Sequence, residues 1–233
     1  MLHQVLKSAT REKSVNYYDL PDYVKDQVPE LREGALAVSV FSFEEDADGI
    51  SAYRTIMVKE GLGFEREAYP TYENMIEELM SDNQQEWGYR FRLMAEIAAH
   101  EGFHQMDMDE KLNNYVSGNL DKIESSGSYD EGYALIFGKT MAHLLNNMKE
   151  NGGNNHFELY QNALERAGEE IVLAKRTKEE QGLTNDKAYK EYLVPAYELL
   201  SEGKEVELLP YASEFLSSIQ SYLPEKYQSC CTT

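Results

Sequence analysis

The chain has 233 residues, and its 42 acidic and 22 basic side chains give a formal net charge of −20. This length is enough to bury a sizeable core and to enclose a cleft. An acidic surface of this kind repels phosphate backbones and anionic lipid headgroups, so nucleic acid and acidic membranes are not expected as partners. Apolar residues make up 42% of the chain, which is ordinary for a globular protein rather than a disordered one.

The cysteines and the apolar segments indicate the compartment. Cys230 and Cys231 are adjacent and near the C-terminus, so no disulfide framework can form inside the fold. No apolar run near the start is typical of a signal peptide, and no stretch approaches the roughly 20 apolar residues of a membrane span. We therefore expect a cytoplasmic protein. Cys230 has the position of a prenylation site, but the residues after it are not aliphatic, so an unmodified tail is favoured.

Two early segments favour β-strands. Residues 35–43 alternate apolar with small or polar side chains, and residues 52–58 include β-branched and aromatic residues. The acidic segment 44–49 between them ends in glycine and has the composition of a turn. The sequence therefore predicts a β-hairpin or two neighbouring strands.

Beyond Pro70 the apolar spacing becomes helical. The predicted helices cover residues 72–80, 84–106, 129–149, 156–181, 186–201 and 211–222. Pro195 should kink or break the fifth of them because proline cannot donate a backbone hydrogen bond. The sequence predicts an α+β fold in which a small N-terminal β-sheet precedes a mostly helical body. We expect an N-terminal lobe of residues 1–110 and a helical C-terminal lobe of residues 111–233.

One short motif carries a chemical mechanism. Residues 100–104 are His-Glu-Gly-Phe-His within a predicted helix, so His100 and His104 lie on one face, one turn apart. Two imidazoles at this spacing can bind one zinc ion. Glu101 then lies beside the metal, where a carboxylate can take a proton from the activated water that attacks a carbonyl. The alternative is a helix with two unconnected histidines and no metal.

A third ligand is needed, and two glutamates compete for the role. Glu131 begins the next predicted helix, and its carboxylate would complete a site of two histidines and one glutamate. It also fits a capping box with Ser128, in which its side chain would bond back to the helix start. Glu110 follows His104 more closely, but the helix would have to turn sharply at Asp107. Asp107, Asp109 and Glu110 more simply form a solvated acidic face.

Residues 90–140 resemble the gluzincin clan of zinc metallopeptidases. Members of this clan carry His-Glu-x-x-His on one helix and a glutamate ligand on a later helix, within a segment similar to Asp130-Glu131-Gly132-Tyr133-Ala134. The resemblance implies a zincin-like body, Glu131 as third ligand, Glu101 as catalytic base, and hydrolysis of a peptide or protein substrate. The exopeptidase segment of the aminopeptidases is missing, so the choice between endopeptidase and exopeptidase stays open.

Other residues could assist the reaction. The oxyanion of the transition state could be stabilised by Tyr133, His143, His156 or Tyr160, and the sequence does not choose between them. Asp130 could orient one of the histidine ligands, or could simply favour the helix N-terminus through its charge.

Three functions follow from these residues. The first is a zinc-dependent peptidase. The second is a catalytically inactive zincin-like binding or regulatory module, in which a fourth protein ligand would close the metal site. The third is a helical interaction protein in which the motif is coincidental and binds no metal.

Overall fold

The computed structural model describes residues 35–46, 49–59, 61–81, 88–116, 128–151 and 156–223. These residues are mostly helical and include a small antiparallel sheet of three strands, which confirms the predicted α+β class. None of the helices among them is long and apolar enough to cross a membrane.

The sheet lies at the N-terminal end of the described chain. Strand β1 (Ala37–Asp46) pairs antiparallel with β2 (Gly49–Val58), and β2 pairs with the short β3 (Ala68–Tyr69). The hairpin register places Ala37 opposite Val58 and Asp46 opposite Gly49. β1 is therefore an edge strand of the described sheet.

Two helices follow the sheet in the chain and pack against it. Helix α1 (Tyr72–Ser81) buries Met75, Ile76 and Leu79 at helical spacing, and α2 (Gly88–Val116) is the longest helix described. The backbone N–H of Tyr72 donates to the side-chain oxygen of Gln105 at 3.1 Å, which ties the start of α1 to the middle of α2.

The rest of the body is built on helix α3 (Ser128–Asn151), which packs along α2. Its central residues are almost fully buried, so this helix forms the centre of the core. Helix α4 (His156–Glu180) also packs against α3.

The C-terminal segment begins with a π-helical turn, Tyr189–Leu193, that leads into α5 (Val194–Ser201). Pro195 stands at the start of α5 and cannot donate to the carbonyl of Glu191, four residues earlier. The predicted break at Pro195 is therefore realised as a widened turn. A 3₁₀ turn (Lys204–Leu208), helix α6 (Leu209–Ser218) and a second 3₁₀ turn (Gln220–Tyr222) complete the described chain.

The elements differ from the prediction in several places. The segment 44–49, predicted as a turn, falls largely within strands, because β1 continues to Asp46 and β2 begins at Gly49. Helix α2 was expected to end at residue 106 but continues to Val116. Strand β3 was not predicted, because two residues carry too little periodicity to be recognised. The predicted helix 211–222 is divided into α6 and a 3₁₀ turn. The division into two lobes at residue 110 stays a prediction, and that position falls within α2.

Some predictions concern parts of the chain outside the described residues. These are the N-terminal residues 1–34, the segment 82–87 that includes the predicted start of α2, and the tail with Cys230 and Cys231.

Candidate metal centre

Three predicted ligands meet where the first turn of α3 approaches the middle of α2. The Nε2 atoms of His100 and His104 lie 3.3 and 3.5 Å from the same carboxylate oxygen, Glu131 Oε2. One ligand atom from each residue lies within 4.8 Å of the other two. The imidazole rings are 5.0 Å apart between centroids and cross at 73°, so they face one point from different directions.

The spacing of these atoms fits a shared metal ion better than hydrogen bonds. Glu131 Oε2 is buried and accepts no hydrogen bond from any described residue. Both distances to it exceed the usual 2.7–3.2 Å range of N–H···O bonds. Two ligands that each lie about 2.0–2.1 Å from one tetrahedral ion are separated by about 3.3 Å. The group can therefore hold a divalent metal ion, and its imidazole and carboxylate donors suit zinc among several such ions.

The charges in the centre favour the ionised ligand. Burial raises the pKa of the Glu131 carboxyl, but the two neighbouring imidazoles outweigh burial and hold that pKa well below its usual range. Burial lowers the pKa of His104, while Glu131 and Glu101 raise it, with a net rise. A carboxylate must be ionised to bind a metal, so Glu131 is in the required form at neutral pH.

Two glycines on α3 allow the helices to come close enough for the ligands to meet. A Cβ atom on Gly138 would lie 2.9 Å from the carbonyl oxygen of Glu96 and 3.1 Å from the Cβ of His100. A Cβ atom on Gly132 would lie 2.9 Å from the backbone nitrogen of Ala196 in α5. Any larger residue at either position would push α3 away from its neighbour.

The predicted base, Glu101, is held by the sheet. The residue is only 4% exposed, and one carboxylate oxygen accepts a hydrogen bond of 2.7 Å from Ser39 Oγ on β1. Ser39 Oγ also lies 3.2 Å from the backbone carbonyl oxygen of Glu101. The edge strand therefore lies directly beside the turn of α2 that carries His100 and His104.

A tyrosine that was not predicted as a site residue approaches the centre from the C-terminal segment. The ring of Tyr192, in the π-helical turn, is 6.2 Å from the ring of His100, with an angle of 31° between the planes. π-helical turns are rare and are often found at functional sites. This turn places a phenol next to His100, one of the three candidate ligands.

The structure gives most of the other predicted residues different surroundings. Tyr133 donates its hydroxyl to Glu207 at 2.5 Å, and His143 contacts Glu170 at 3.1 Å. Tyr160 is buried in the core on α4, and burial raises the pKa of its phenol to about 12. The side chain of His156 lies outside the described residues.

The other two acidic candidates, Asp130 and Glu110, have partners away from the two histidines. Asp130 accepts a hydrogen bond from Lys111 at 3.0 Å. Glu110 stays on α2, which continues as a helix through Asp107, and accepts a hydrogen bond of 2.7 Å from the Tyr211 hydroxyl. The structure therefore brings Glu131, and not Glu110, to the two histidines.

Lys111, Ser39 and Tyr192 were not predicted, and the sequence carries a different amount of information about each. Lys111 lies seven residues after His104, so the helical period alone places it on the same face as the ligands. Ser39 is one alternating position in a strand, and Tyr192 is one of 17 tyrosines in the chain. No local pattern distinguishes these two from residues that only pack the core.

Comparisons of the chain with protein-family models, curated proteins and solved structures found no match. The chemical interpretation of the centre therefore depends on its own residues and their geometry.

Proposed function

We propose that the protein is a zinc metallopeptidase of gluzincin type with a zincin-like body. The observation that carries the proposal is the convergence of His100, His104 and Glu131 on one point, with Glu131 Oε2 buried and without a hydrogen-bond partner among the described residues. Two histidines and a glutamate are the protein ligands of a catalytic zinc site, which keeps one position for water or substrate.

The chain's own residues have distinct roles in this proposal. A bound zinc ion supplies Lewis-acid activation of water and of the scissile carbonyl. Glu101 Oε2 accepts the proton of the attacking water and passes it to the leaving amine. Ser39 holds that oxygen at 2.7 Å and so fixes the orientation of the carboxylate. Tyr192 donates a hydrogen bond to the carbonyl oxygen as negative charge develops there.

The sheet supports a peptide as the substrate. β1 is an edge strand of the described sheet, and its Ser39 contacts the proposed base. An extended peptide can add to such an edge through main-chain hydrogen bonds. Its backbone would then run beside the metal ligands, with a peptide bond near Glu101.

The inactive zincin-like module is the alternative, and a fourth protein ligand that closed the metal site would favour it. Among the residues that the structure describes, the ligand group contains three residues, which favours the enzyme.

The experiment that tests the proposal compares Glu101→Gln with the wild type, both loaded with zinc. We expect Glu101→Gln to bind one equivalent of zinc with unchanged affinity. Its turnover of a mixture of internally quenched fluorescent peptides should fall by about 10²–10⁴-fold, because the general base is lost. Zinc content is measured by elemental analysis.

Glu96→Gln is the matched control. Glu96 lies on the same helix, one turn before His100, and pairs with Lys139 at 3.0 Å. This variant should keep both zinc and turnover. Full turnover by Glu101→Gln would rule out the assigned base, and a zinc-loaded wild type that cleaves none of the peptides would rule out the peptidase.

A further inference from the structure

We propose that Lys111 is a positioning residue for the metal site, because it holds the first turn of α3, and with it Glu131, at binding distance from the two histidines. The inference rests on the metal centre of the proposed function. Lys111 lies on α2 seven residues after His104, about two turns along the same helix face. Its ammonium group contacts Asp107 Oδ2 at 2.5 Å and Asp130 Oδ2 at 3.0 Å.

The position of Glu131 makes such an anchor necessary. Glu131 is the fourth residue of α3, within the terminal turn. Helix termini fray, because the first backbone N–H groups have no partner inside the helix. Asp130 is its immediate neighbour in the chain, so their Cα atoms are about 3.8 Å apart. Fixing the Asp130 carboxylate to α2 therefore restricts where the Glu131 carboxylate can lie.

Charge gives Lys111 a second effect on the same turn. Asp107, Asp130 and Glu131 place three carboxylates where α2 and α3 meet, and like charges at short range repel. The side chains of Lys111 and Asp107 are each only 18% exposed, so water screens these charges poorly. Burial lowers the pKa of the Lys111 ammonium, but the two aspartates outweigh burial and raise it. Lys111 is therefore charged and offsets the repulsion that would drive the turn of α3 away from α2.

Lys139 provides a natural comparison within the same pair of helices. It is on α3 and contacts Glu96 of α2 at 3.0 Å, with a side-chain exposure of 17% against 18% for Lys111. Both lysines bridge α2 and α3. Only Lys111 is bonded to the residue beside a metal ligand. A purely structural role predicts similar consequences for the two residues, whereas a positioning role does not.

The test measures zinc affinity by competition with a chromophoric chelator, together with the free energy of unfolding in urea without metal. We expect Lys111→Met to raise the zinc dissociation constant by about 10–100-fold, as is typical when a group that orients a ligand is removed. Lys111→Arg, which keeps the charge and can contact both aspartates, should recover most of the affinity. Lys139→Met should bind zinc as the wild type does, even if both methionine variants lose similar stability.

Asp130→Asn gives an independent readout if Lys111→Met does not fold. It should weaken zinc binding in the same direction, and combining it with Lys111→Met should add little, because both act through one contact. Unchanged zinc affinity in Lys111→Met or in Asp130→Asn would overturn the inference, as would an equal loss in Lys139→Met. These results leave the proposed function standing, whereas a wild type that binds no zinc removes the proposed function itself.

Discussion

Two histidine–glutamate clusters include residues of α3, the first shared with α2 and the second with α4, and they are built in opposite ways. In the first, two imidazoles face Glu131 Oε2 at 3.3 and 3.5 Å, and that oxygen has no hydrogen-bond partner among the described residues. In the second, His143 contacts Glu170 Oε1 at 3.1 Å within hydrogen-bonding geometry.

In the second cluster, positively charged groups contact both carboxylate oxygens of Glu170. Arg92 contacts the same oxygen of Glu170 at 3.1 Å, and Lys139 contacts the other oxygen at 3.5 Å. Each charged group there has a partner of opposite sign. A histidine next to a glutamate is therefore not in itself a metal site. The buried carboxylate oxygen without a partner distinguishes the first cluster, because such an atom is costly unless a ligand satisfies it.

The largest expected effect is the increase in the free energy of unfolding on adding zinc, which should depend on the first cluster and not on the second. Zinc at about a thousandfold above its dissociation constant should raise the free energy of unfolding by about 4 kcal/mol. His104→Ala should abolish most of this increment, because it removes a ligand. His143→Ala should keep the increment even if its stability without metal is lower. Urea unfolding with and without zinc measures these differences.

The comparison between the clusters would fail if His143→Ala lost the zinc increment as well. It would also fail if His104→Ala kept the increment, since then the first cluster would not be the site of binding.

A smaller effect is expected at Gly138, which lies between the clusters. In Gly138→Ala the new Cβ would be 2.9 Å from the Glu96 carbonyl oxygen. We expect the free energy of unfolding to fall by about 1–3 kcal/mol, although alanine is the better helix former by about 1 kcal/mol. Zinc affinity should also fall, because α3 is displaced from His100.

Gly168→Ala on α4 is the control for Gly138→Ala. Its Cβ would lie 3.8 Å from the nearest side-chain atom of Leu200, an ordinary contact, so this variant should be neutral or slightly more stable. Equal stability of the two alanine variants would show that the close approach of α2 and α3 at Gly138 is not required.

The smallest expected effect is the pH dependence of the second cluster. Burial lowers the pKa of His143 below its ordinary value of 6.5, and the positive charges of Arg92 and Arg166 lower it further, against the opposing effect of Glu170. Between pH 6.5 and the lower pKa of the folded protein, His143 takes up a proton in the unfolded chain but not in the folded protein. The contribution of His143 to the free energy of unfolding is therefore fully present above about pH 6.5 and decreases as the pH falls toward the folded pKa.

His143→Gln should remove this part of the pH dependence. The measurement is the free energy of unfolding of metal-free protein at a series of pH values on both sides of 6.5. An identical pH profile in the variant and the wild type would contradict the assignment to His143.

The local parts of the fold and of the centre could be predicted from sequence. Helical spacing was enough to place His100 and His104 on one face, and the alternation of residues 35–43 was enough for a strand. Glu131 was favoured as a ligand because the histidine pair lacked a third one and because its segment resembles a known ligand segment, although a capping role also fitted its position. Its Oε2 in fact lies beside the histidines.

The contacts between distant segments could not be predicted in this way. Ser39 and Glu101 are 62 residues apart, and their hydrogen bond depends on how the hairpin lies across α2. Tyr192 reaches His100 only because the C-terminal segment packs back on α3. Amphipathic periodicity reports which face of an element is buried, and it does not report which other element covers that face.

The widened turn at Tyr189–Leu193 has a consequence for how this region tolerates change in length. A π turn contains about one residue more than an α turn, and each α-helical residue advances the chain by about 100° around the axis. Deleting one residue here would restore the regular helix and rotate the helical residues just before the deletion by that angle relative to α5. Because α5 is fixed against Gly132, the rotation would fall on the upstream side. The number of residues in this turn, more than the identity of any one of them, sets the direction in which Tyr192 points.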